Sequence, residues 1–163
     1  MTRKSVCRIV PTLIICLMIT GMLRAADSLA IRWEFNHHRL NDSMVLISFR
    51  ASIPSDCRLY GLKSDSNEVL FSDLHYDTAA APFISRPLQE KGQALRMPDT
   101  ALQTIATLYA DSVYWQQLLK MPASDSLLLK GTISCLYRKS GAYLTEEKDF
   151  KIYIHAKAEE DAS

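Results

Sequence analysis

Between Leu127 and Tyr137 the chain alternates with a period of two. Leu127, Leu129, Gly131, Ile133, Cys135 and Tyr137 share one face, while Lys130, Thr132, Ser134 and Arg138 take the other. An extended strand sends successive side chains to opposite sides, so this pattern requires a sheet with one face on a core. The same rhythm recurs in Ile31, Trp33 and Phe35, in Val45, Ile47, Phe49, Ala51 and Ile53, and in Phe150, Ile152 and Ile154. Asn41-Asp42-Ser43 and Ser140-Gly141 are turn signals, and they group these strands into a hairpin near each end of the chain. Neither a βαβ alternation nor a glycine-rich phosphate loop is present, so the fold class is all-β, an antiparallel sandwich.

The middle of the chain is harder to read. Residues 77–98 carry Pro82, Pro87, Gly92 and Pro98 and read as loop with short extended pieces. Over 100–120, Leu102, Ile105, Tyr109 and Val113 sit at helical spacing, whereas Val113, Trp115 and Leu119 fit a strand. Helix is confined at most to a short piece within 100–110. Trp33, Phe35, Ile47, Phe49, Ile133, Phe150 and Ile152 are the expected core.

Residues 1–25 read as a secretory signal peptide. Arg3, Lys4 and Arg8 precede an apolar run from Ile9 to Leu23, and Ala25 ends it at a small-residue cleavage position. The run is shorter than the roughly 20 residues a membrane span needs, so no stable span is expected after cleavage. Removal of 25 from 163 residues leaves 138, enough for one core. Residues 26–158 form the expected domain, and Glu159-Glu160-Asp161 lies in a solvated acidic tail over 159–163. Four basic side chains leave with the signal, turning 19 basic against 18 acidic groups into 15 against 18. That balance excludes nucleic-acid binding driven by bulk charge. The expected location is periplasmic or otherwise exported.

Catalytic signatures are sparse. GxSxG, HExxH and SxxK are absent, and His37-His38 point to opposite faces of a strand, so neither a metal site nor a cofactor is expected. Asn41-Asp42-Ser43 is also a glycosylation sequon, but a turn accounts for it. Cys57 and Cys135 alone remain after cleavage, in an oxidising compartment. They read as buried small hydrophobes, as a structural disulfide, or as a redox pair exchanging electrons with another protein.

Several segments resemble the N-terminal periplasmic domain of the thiol:disulfide interchange protein DsbD, an immunoglobulin-like sandwich. They are Ile31-Arg32-Trp33-Glu34-Phe35 with Leu40-Asn41-Asp42, the strand Val45 to Ile53, and Ser55-Asp56-Cys57-Arg58-Leu59-Tyr60. Leu128 to Cys135 and Phe150-Lys151-Ile152 complete the likeness. In that family a strand ends in a first redox cysteine and a second follows five or six residues later. Cys135 matches the first. Ser140, Gly141 and Tyr143-Leu144-Thr145 occupy the stretch of the second, which is missing. The resemblance therefore implies thiol:disulfide interchange lost or altered, with function through contact with another envelope protein. An active exchange protein using Cys135 with Cys57 is the enzymatic alternative, and a plain exported binding module is the third reading.

Overall fold

A computed structural model of the chain describes residues 30–64, 68–100, 102–122 and 126–155. The expected signal peptide over 1–25 and the expected acidic tail over 159–163 lie outside the described residues. Eight strands follow in order: β1 (Arg32–Asn41), β2 (Met44–Ser52), β3 (Cys57–Tyr60), β4 (Asp73–Tyr76), β5 (Gln89–Asp99), β6 (Thr104–Lys120), β7 (Ser126–Lys139) and β8 (Ala142–His155). All named pairings are antiparallel.

Both expected hairpins form. β1 and β2 pair from Arg32 opposite Ser52 to Asn41 opposite Met44, and the Asn41 side-chain oxygen accepts a 2.9 Å hydrogen bond from the Ser43 N–H across the turn. β7 and β8 pair along their whole length and meet at Ser140 and Gly141, whose φ angles are +50° and +85°. Two consecutive left-handed residues give the tight turn whose twist matches the flanking strands, and glycine takes that conformation without strain.

Long strand β6 makes two layers from one bonded network. Its later half pairs with β2, its earlier half with β3, and β5 runs along its other edge. The change of partner falls at Asp111, where φ is +62° and the carbonyl accepts the Ile53 N–H at 2.8 Å. β5 shifts register between Gly92 and Ala94 at the same level. This bulge bends both strands, so the β1–β2 layer folds over the layer built from β3, β7, β4 and β8. The result is an immunoglobulin-like sandwich.

The main core fills the space between the layers. Phe49 of β2 meets Phe150 of β8 edge-on at 5.0 Å between ring centroids, and Trp33 packs on Trp115 at 4.8 Å. Of the expected core residues, Trp33, Ile47, Phe49, Ile133, Phe150 and Ile152 are buried, and Phe35 is partly buried against them. Gly131 lets β4 cross closely: a Cβ there would lie 2.1 Å from the His75 carbonyl oxygen and 2.6 Å from Cζ of Phe150.

Two expectations for the middle need correction. Residues 89–99 are a strand despite Gly92 and Pro98, because β5 lies at an edge of the sheet, where proline costs no ladder bond. No helix occurs within 102–110. The only helical element among the described residues is a 3-10 turn over Thr78–Phe83.

Candidate functional site

Cys57 opens β3 and Cys135 lies toward the end of β7. Both are free thiols facing the main core, with 0% and 1% of their surface exposed. The strand register keeps them apart. Cys57 lies opposite Lys139, four residues beyond Cys135 along β7, while Cys135 lies opposite Glu146 on the other neighbour, β8. At about 3.4 Å per residue that is a separation of about 14 Å, twice the reach of a disulfide, about 7 Å between Cα atoms. The structure does not bring the two expected site residues together.

Their surroundings also disfavour the reactive thiolate. Burial pushes the Cys135 thiol up to about 12, with the Glu146 carboxylate adding to the rise and the Trp33 indole N–H opposing it. Burial raises Cys57 too, reinforced by the Asp56 carboxylate, whose Oδ1 accepts from the thiol at 3.5 Å. Reactive cysteines are electropositive and accessible, and neither of these is.

The opposite face of β3 and β7 is different. There Tyr60, Leu70, Ala106 and Leu108 form a second, smaller apolar cluster, with Leu136 partly buried against it. Above it opens a cleft of about 350 Å³ bounded by Ser55, Asp56, Arg58 and Tyr60 and by the tips of the β5–β6 and β7–β8 hairpins. Its floor carries Arg58 directly across from Arg138, and Arg138 is paired on its other side with Tyr143 of β8. Like charges in facing positions on neighbouring strands repel. The Arg58 guanidinium donates to the carbonyls of Ser55 (3.0 Å) and Cys57 (2.6 Å), and that of Arg138 lies 5.8 Å from the Tyr143 ring centre.

Nearby carboxylates are otherwise engaged. Asp56 pairs with Lys139 at 3.3 Å, which lowers its pKa. Buried Asp99 accepts the Tyr143 hydroxyl at 2.5 Å and the Leu102 N–H at 3.1 Å, locking the two hairpin tips together. That bond to Asp99 raises the Tyr143 phenol, and burial pushes Tyr60 up to about 12. On the cleft side of β5, Leu95 and Met97 stay substantially exposed.

A partly buried carboxylate steadies the β5–β6 wall from behind. Glu90 accepts the Trp115 indole N–H at 2.9 Å and the Leu62 N–H at 3.0 Å, and it also bonds to Tyr109. Burial raises its pKa despite these donors. Among the described residues no three His, Cys, Asp or Glu side chains converge as metal ligands, and no helix is long and apolar enough to cross a membrane.

Sequence reasoning placed Arg138 on the outward face of its strand and included Arg58 in a motif, but missed that they face each other. Asp99 and Met97 were missed altogether. Only the β3–β7 register, a long-range pairing, joins the two arginines, and only the Asp99–Tyr143 bond and the β5–β6 pairing bring β5 beside them.

No protein-family profile matches the chain, and no curated protein does. Solved structures do share its fold. The N-terminal periplasmic domain of ScsB from Proteus mirabilis matches with a TM-score of 0.53 at 14% identity, over 84% of this chain and 51% of that one. This chain thus spans about half the ScsB chain. The reduced DsbD N-terminal domain of Neisseria meningitidis matches at 0.49 and 12% identity, over 77% and 86% of the two chains. The GAE domain of GGA2p from Saccharomyces cerevisiae matches at 0.45 and 14%, over 76% and 89%. At 14% identity the likeness to the ScsB domain is one of fold.

Proposed function

We propose that this chain is an exported immunoglobulin-like domain, related to the N-terminal domains of thiol:disulfide interchange proteins, that has lost thiol exchange and acts through contact with another envelope protein. The observation that carries the reading is the separation of Cys57 from Cys135 by four residues of β7, with both thiols sealed in the main core. Resolving a mixed disulfide needs a second thiol within reach of the first, so neither cysteine can do so from its present position. The periplasmic setting in the ScsB name agrees with the basic start and short apolar run over 1–25.

The test is exposure of the folded, reduced protein to excess oxidised glutathione at neutral pH, followed by intact-mass measurement. The expected result is an unchanged mass. A glutathione adduct on Cys57 or Cys135, or the loss of two hydrogens that marks an internal disulfide, would restore the exchange reading.

A further inference from the structure

The facing arginines of β3 and β7 have no carboxylate of their own among the described residues, because Asp56 is held by Lys139 and Asp99 by Tyr143. The two cations lie on the floor of a cleft that Met97 lines, with the Tyr143 ring beside Arg138 and Leu95 exposed next to the cleft on the same face of β5. We infer that this cleft is a docking site for a segment of a partner protein carrying an acidic side chain flanked by apolar ones. This rests on the contact reading above and specifies its surface and its partner.

A carboxylate between Arg58 and Arg138 relieves the repulsion of a like-charged cross-strand pair and forms charge-assisted hydrogen bonds that the protein itself leaves unmade. Exposed apolar side chains beside it offer burial to the neighbours of that carboxylate. Charge and apolar surface occur side by side, so the site favours an acidic residue between leucine-like residues over a bare anion or a purely apolar strand. The Asp99–Tyr143 bond holds the two tips in place, so little ordering cost is left for binding.

The test is a fluorescence-anisotropy titration of the protein with a dye-labelled hexapeptide containing one glutamate flanked by leucines. Binding should weaken as salt is raised. Arg138→Glu, an exposed change whose folding is checked by circular dichroism, should weaken it by at least about tenfold, and Arg138→Gln by less. Peptides with lysine for glutamate, or serine for the leucines, should lose most of the affinity. Equal binding of either control peptide, an unaffected Arg138→Glu, or no binding to the wild type would each overturn the proposal. The titration reads no thiol chemistry. Its failure would remove this surface while the glutathione result still decides the fate of the cysteines.

Discussion

Cys57 and Arg58 are neighbours on β3 with opposite fates. The thiol is sealed between the sandwich layers, and the guanidinium faces the outer cleft. Cys135 and Arg138 repeat the division on β7. A strand sorts its side chains by parity, so one β3–β7 pairing builds two environments back to back. The inner one is apolar, dense in aromatic contacts, and hostile to thiolate. The outer one is charged and only partly covered. What a reader of the sequence takes for the chemical residues, the cysteines, belongs to the first environment, and the groups poised for recognition belong to the second.

The difference can be attacked from the inner side first. Phe49 is fully buried and its ring meets Phe35, Tyr76 and Phe150. Phe49→Ala should cost about 3–5 kcal/mol in urea unfolding, because the two layers cannot close over the void. Gly131→Ala comes next. The added methyl collides with backbone oxygen and with the Phe150 ring, and a loss of about 1–3 kcal/mol is expected from the same measurement. A neutral result at either position would mean that the layers do not pack as described.

On the outer side the effects are smaller. Tyr143→Phe removes the donor to buried Asp99 and should cost about 1–2 kcal/mol, with faster hydrogen exchange confined to the two hairpin tips. Exchange spreading into β2 would show that the tips are not a separate region. The smallest effect concerns Glu90. Its pKa is raised in the fold, so its contribution is fully present below the ordinary carboxyl value and is lost as pH rises through the folded one. Glu90→Gln should flatten that part of the stability–pH curve, measured by thermal unfolding across mildly acidic pH.

The alternation in 31–35, 45–53, 127–137 and 150–154 made the hairpins and most of the core legible in advance, because local period and turn chemistry decide them. β5 was hidden because edge strands tolerate the proline and glycine that elsewhere forbid a strand. β6 was ambiguous because its early half is apolar on both faces: Ala106 and Leu108 join the outer cluster while Tyr109 and Val113 join the main core, which blurs the period of two. The cleft was illegible for another reason. Arg58 and Arg138 meet only through a register set by the whole sheet, and no local signal marks it.

The account turns on the thiols being part of the core and not of the chemistry. Thiolate absorbance in the ultraviolet, followed in the folded protein as pH is raised, addresses this directly. Burial holds Cys135 at about 12 and raises Cys57 above the usual 9.0. The fold should therefore form no thiolate at neutral pH, and urea-unfolded protein should titrate both thiols near 9.0. A thiolate step near neutrality in the folded state would contradict the account and return one of these cysteines to the role of a reactive group.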